Sequence, residues 1–195
     1  GKAVEALPET TVASSFQLYQ ELGLRGEVNF PAFEQALKGF SRYASGQDRL
    51  LVLIDYTKPS TEKRFYILDL LQKKLLLSTY VAHGRGSGDN YAVAFSNRPG
   101  SYQSSLGFFR TGDTYMGKNG YSLFLDGLEK GINDKARERA IVVHGANYAD
   151  PAVLKGQQRL GRSLGCPALP PDISKQVIDT IKGGVLLYIY GLNKA

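Results

Sequence analysis

Apolar residues change their period once along this chain. From Val12 to Ala44 they recur at helical spacing, and from Leu50 onward they come in short dense runs. Val12, Phe16, Tyr19 and Leu22 predict a helix over 10–22, with Gly23 as its stop. Phe33, Ala36, Leu37, Phe40 and Ala44 predict a second helix that begins near Asn29 or Pro31 and ends at Gly46. That stripe suits packing onto a larger body, so residues 1–46 read as a helical N-terminal extension and 47–195 as the main domain.

The runs LLVLIDY (50–56), RFYILDLL (64–71) and KLLLSTYVA (74–82) predict strands, the last two joined as a hairpin at Gln72-Lys73-Lys74 without Asn-Gly turn chemistry. Residues 83–101 are dense in Gly, Ser and Asn and read as a loop held over a scaffold. Strands follow at 107–115 and 121–128 around a Met116–Gly120 turn, then at 140–144. Pro151–Lys155 fits one helical turn, and Pro171–Lys182 a longer helix with Ile173, Val177, Ile178 and Ile181 on one face, stopped at Gly183-Gly184. The closing run VLLYIY (185–190) suits a strand inside a sheet. The expected class is α+β, mainly β, with a mixed or antiparallel sandwich-like core.

At 195 residues the chain is long enough to bury a proper core, and 43% hydrophobic with 22% charged residues is globular composition. No apolar run reaches the roughly 18 residues that a membrane span needs. A start at Gly1-Lys2, without Met or an apolar leader, is expected of a trimmed or mature form. The formal charge of +6 suits an anionic partner, but the basic residues are scattered and no nucleic-acid signature accompanies them. Nucleic acid is therefore not expected, and adhesion to an acidic cell-wall polymer is the milder reading of the charge. The glycines of HGRGSG lack the helix and lysine of a phosphate-binding loop.

Candidate chemistry converges on Ala140–Pro171, which holds the one cysteine, Cys166, and one of two histidines, His144. A single Cys permits no intrachain disulfide. His144 ends an apolar strand, where a side chain can face a cleft. Ser163-Leu164-Gly165-Cys166-Pro167 reads as a nucleophile loop, because Gly165 allows close backbone approach and neighbouring amides can point together at an oxyanion. On spacing alone, a buried structural thiol with a structural histidine fits equally well. A zinc site from Cys166, His83 and His144 lacks any compact ligand motif, so neither metal nor cofactor is expected.

His144-Gly145 followed by Ser163-x-Gly165-Cys166 resembles the signature of the L,D-transpeptidases, cysteine enzymes that remodel bacterial peptidoglycan. The resemblance extends through VAHGRGSG (81–88), 95–129 and RAIVVHGANY (139–148), covers roughly 50–191, and is similar to a subgroup whose motif reads Arg-Ser-x-Gly-Cys-Pro. Two positions depart from it. Many relatives carry His or Arg where Leu164 stands, and a polar residue soon after the cysteine where this chain has Pro167-Ala168.

The resemblance implies a β-rich catalytic fold in a bacterial cell envelope. It makes Cys166 the nucleophile and His144 first base, then acid, with the carbonyl of Gly145 as third member. The amides of Leu164, Gly165 and Cys166 are oxyanion-hole candidates. Attack at the third residue of a stem peptide would release terminal D-Ala and leave a thioester. An amine acceptor then gives a cross-link, whereas water gives an L,D-carboxypeptidase. Carbapenems are implied inhibitors. Arg162 is expected either to pair with a stem carboxylate or to brace its loop, and Ser163 to orient the loop or the base. His83, Tyr102, Ser105 and Phe108 are expected to line the cleft, although aromatic residues in strands are usually core. A catalytically silent wall-binding module is the competing reading, against which the intact His and Cys speak.

Overall fold

The computed structural model describes residues 11–45 and 48–194; residues 1–10 and Gly46, the expected end of the second helix, lie outside them. Helix α1 runs Val12–Glu21 and α2 Phe30–Tyr43, followed by β1 (Leu50–Asp55), β2 (Phe65–Asp69), β3 (Lys74–Thr79), β4 (Gly107–Gly117), β5 (Gly120–Gly127) and β6 (Val142–Gly145). Then come β7 (Ala168–Leu169), α3 (Pro171–Ile181) and β8 (Leu186–Tyr190). The eight strands form one sheet in the order β3-β2-β1-β8-β4-β5-β6-β7. It is mixed: β8 runs parallel to β1 and β7 parallel to β6, while the remaining pairs are antiparallel. Beyond β3, Ala82 forms an antiparallel bridge with Ala168 of β7. The expected sandwich-like core is thus a single sheet curled until its two ends meet.

Dense apolar runs arise because both faces of the central strands are covered. Val52 and Ile54 of β1 point into the main core with Phe65, Leu187, Ile189 and the Val177, Ile178 and Ile181 face of α3. Leu51 and Leu53 point the other way, with Tyr66, Leu68 and Leu186, onto Phe33, Ala36, Leu37 and Phe40 of α2. Each Val, Leu, Ile or Phe among them contributes roughly 1.5–3 kcal/mol on full burial. The first helix follows its expected stripe only in part. Tyr19 and Leu22 are buried, whereas Val12 and Phe16 are exposed.

Turn chemistry missing from the Gln72-Lys73-Lys74 hairpin comes from a neighbouring strand residue. The buried carboxylate of Asp69 accepts from the amides of Leu71 and Gln72 at 3.0 and 2.9 Å. In the other hairpin, strand pairing continues to Gly117 and Gly120. The expected five-residue turn therefore narrows to Lys118-Asn119.

Candidate active site

Two loop segments meet beside the end of β6. Gly84 bridges Ser163 in parallel, and Ser163 N–H donates to His83 O at 2.9 Å while Arg85 N–H donates to Ser163 O at 2.8 Å. Within the Ser163–Pro167 loop Ser163 Oγ donates to Cys166 O at 2.6 Å and accepts from Gly165 N–H at 3.1 Å. Ser163 thus closes the turn that presents the cysteine. Gly165 has φ +127°, and a Cβ there would meet Ile141 Cδ1 at 2.9 Å and Gln103 O at 3.1 Å. No other residue fits that corner without displacing its neighbours.

Cys166 is half-buried, and its sulfur sits between two backbone groups of the neighbouring strand region. Sγ accepts from Val142 N–H and donates to Ala140 O, each at 3.4 Å. Burial pushes the thiol pKa up, opposed by the Val142 amide and by the charges of Arg139 and Lys118. His144, paired with Ser122 of β5 and Ala168 of β7, is fixed by both neighbouring strands. Its Nδ1 lies 2.9 Å from Gly145 O. A carbonyl only accepts, so the proton resides on Nδ1 and Nε2 carries the free lone pair. Burial holds the imidazole pKa below the usual histidine value, against the Gly145 bond, which raises it. Both shifts favour a neutral resting pair. No hydrogen bond joins Sγ to the ring among the described residues, but both line one cavity of about 440 Å³.

Of the residues expected in this cleft, Arg162, Ser163 and Leu164 line it with Cys166 and His144. Four do not. His83 turns inward: Arg64 Nη2 donates to its Nδ1 at 2.9 Å, and its Nε2 donates to Gly88 O at 3.1 Å. Guanidinium has no acceptor, so this neighbour dictates a neutral Nε2–H ring. Burial first, and then the Arg64 charge, lower the His83 pKa to about 3. With both nitrogens engaged, His83 has no lone pair for a zinc ion shared with Cys166 and His144. Phe108 lies on the opposite face of the sheet, against Tyr43, Tyr188 and Gly39, whose missing Cβ leaves room for its ring. Tyr102 is exposed and its ring stacks under Arg85, 4.7 Å away. Ser105 donates to Ser96 O and accepts from Arg139, both at 2.8 Å.

The oxyanion candidates also change. Gly165 N–H is spent on Ser163 Oγ, whereas the amides of Leu164 and Cys166 have no partner among the described residues. Arg162 Nη1 donates to Gly88 O at 3.3 Å and pairs with Asp89 at 3.2 Å, contacts of the kind a loop brace makes.

Sequence reasoning missed Arg139, Lys118, Tyr115 and Tyr148, which line the same cavity. Arg139 ties loop 96–105 to the site through Ser96 O, Ser105 Oγ, Ser101 Oγ and Gln103 O at 2.8–3.1 Å. Only the serine density of that loop hinted at such a donor. A second depression of about 500 Å³ adjoins the first and shares Lys118, Asn119 and Tyr148 with it; Gly145, Tyr121 and Ser174 also line it.

No curated protein matches the chain. Among solved structures it is similar to a variant of the helical cell shape determining protein Pgp2 from Campylobacter jejuni, at 16% identity over 75% of this chain and 48% of that one, TM-score 0.50. An L,D-transpeptidase from Stackebrandtia nassauensis follows at 14% identity, with 94% and 78% covered and TM-score 0.45. L,D-transpeptidase 1 of Mycobacterium tuberculosis stands at 14%, with 74% and 62% covered and TM-score 0.42. The chain spans about half to three-fifths of the first solved structures it matches, one of them solved with imipenem. A sequence profile described as the L,D-transpeptidase catalytic domain matches residues 24–190 and so takes in α2 as well as the sheet; the chain belongs to that family.

Proposed function

We infer that the protein is a cysteine acyltransferase that remodels peptidoglycan stem peptides. The observation that carries this is the placement of Cys166 and a correctly tautomerised His144 on one cleft, with the ring held by Gly145 O. When a peptide carbonyl enters the cleft, His144 Nε2 takes the thiol proton as sulfur attacks. The oxyanion is met by the unpaired amides of Leu164 and Cys166. Collapse breaks the C–N bond, and the imidazolium returns its proton to the leaving D-Ala amine. The thioester is then resolved by an amine, which His144 deprotonates.

The adjoining depression favours an amine over water as acceptor, because it offers a second chain room beside Gly145 and shares Lys118, Asn119 and Tyr148 with the cleft that His144 lines. A strained cyclic amide such as a carbapenem is opened by the same thiolate with its amine still tethered to the transferred acyl group, so stable acylation of Cys166 belongs to this reading. The envelope is the compartment where such a substrate occurs, and no helix among the described residues is long and apolar enough to cross a membrane.

Incubation with purified disaccharide-tetrapeptide, with products read by mass, tests the proposal. Expected is a cross-linked dimer with loss of one D-Ala. Cys166→Ala should retain the fold and abolish turnover entirely, since no other side chain in the site can form the thioester. Hydrolysis without cross-linking would replace the transferase by a carboxypeptidase; turnover surviving in Cys166→Ala would end the proposal.

A further inference from the structure

The residues that follow the cysteine offer the cleft no polar side chain. That position is closed, because Pro167 and Ala168 are buried. Carboxylate recognition, if the site performs it, must come from elsewhere in the cleft. The lining holds three cations, Lys118, Arg139 and Arg162, and no acidic side chain. Two of the three are engaged. Arg139 spends its guanidinium on four partners in loop 96–105, and Arg162 pairs with Asp89 and the carbonyl of Gly88.

Lys118 differs from both. It is exposed, has no ion pair among the described residues, and borders both depressions at once. Its hairpin is a firm mount. The Tyr115 ring stacks on Phe124 at 4.3 Å, and a Cβ at Gly117 would run into that Tyr115 ring at 2.7 Å. On the other strand Tyr121 Oη donates to Asp179 at 2.6 Å, which ties the hairpin to α3. An ammonium on a fixed two-residue tip can meet a carboxylate in either depression, as a point charge that needs no particular approach angle.

We propose that Lys118 is the residue that recognises the carboxylate of the stem peptide beside Cys166. This rests on the acyltransferase reading above. Stem peptides offer two carboxylates of the same chemistry, the terminal one of D-Ala and, where the third residue is a diacid, its side chain. The site as described receives either.

The test uses a synthetic tetrapeptide ending in D-Ala in three forms: free acid, C-terminal amide, and third-residue carboxamide. Wild type, Lys118→Arg and Lys118→Met are compared by kcat/KM on each, and by the rate at which neutral iodoacetamide alkylates Cys166. Expected for Lys118→Met is a roughly tenfold to hundredfold loss on the free acid, carried by KM, the size of one lost charged hydrogen bond. Lys118→Arg should restore most of it. The defect should vanish on whichever amidated peptide lacks the recognised carboxylate, which names the source. Alkylation should change by no more than a few-fold, because it needs the thiolate and no recognition. Wild-type turnover with an unimpaired Lys118→Met overturns the assignment. So does a defect equal on all three peptides and in alkylation, which would make Lys118 a tuner of the thiol. If wild type turns over none of the peptides, the acyltransferase reading fails, and this inference falls with it.

Discussion

The chain writes nearly the same four letters twice, Val81-Ala82-His83-Gly84 and Val142-Val143-His144-Gly145, and folds both beside strand β7. Both histidines are almost fully buried, at 1% and 3% exposure. Their ring nitrogens meet opposite chemistry. His83 Nδ1 faces the donors of Arg64 and must accept, whereas His144 Nδ1 faces the carbonyl of Gly145 and must donate. The first ring is sealed on both sides and locked neutral; the second keeps a free nitrogen toward the cleft. A histidine's role here follows from the neighbour that decides its tautomer, not from its local sequence.

The largest expected break between them is kinetic. His144→Ala should slow acylation of Cys166 by about 10²- to 10⁴-fold, the usual cost of a lost general base, measured in single turnovers by intact mass. An unchanged rate would remove His144 from the mechanism.

His83 should register in stability instead. Its native pKa of about 3 lies below the ordinary histidine value of ~6.5, so between the two the unfolded chain binds a proton that the native state refuses. Stability contributed by neutral His83 is therefore complete above about pH 6.5 and is lost as pH falls toward 3, by up to about 1.4 kcal/mol per pH unit. Chemical denaturation of wild type and His83→Ala from pH 7 to pH 4 isolates this component from carboxylates common to both. The variant should be weaker at pH 7, because Arg64 and Gly88 lose a buried partner at a cost of about 1–3 kcal/mol, and the gap should close in acid. A gap independent of pH would contradict the sealed, neutral ring.

Much of the frame was legible in the chain. Strands β1, β2, β3 and β8 and helices α2 and α3 stand close to where apolar periodicity puts them, and β6 runs one residue past His144, to Gly145. What stayed hidden depends on partners far away in sequence. Phe108 alternates in a strand whose two faces are both covered, so period alone could not say whether it faces the cleft or α2. The inward turn of His83 needs Arg64, and the role of Arg139 needs loop 96–105; neither pairing has a local signature. Ser163 shows the same limit at short range. Its hydroxyl consumes the Gly165 amide that spacing had offered to the oxyanion, and only the folded turn reveals it.

The contrast between the two histidines is tested most directly by the pH dependence of Cys166 acylation in wild type, His83→Ala and His144→Ala. With the His144 pKa held below the usual value by burial, the wild-type rate should fall only once pH drops beneath ~6.5. His83→Ala should retain that acid limb, and His144→Ala should lose it along with most of the rate. An acid limb that disappears in His83→Ala and persists in His144→Ala would assign the proton to the wrong ring.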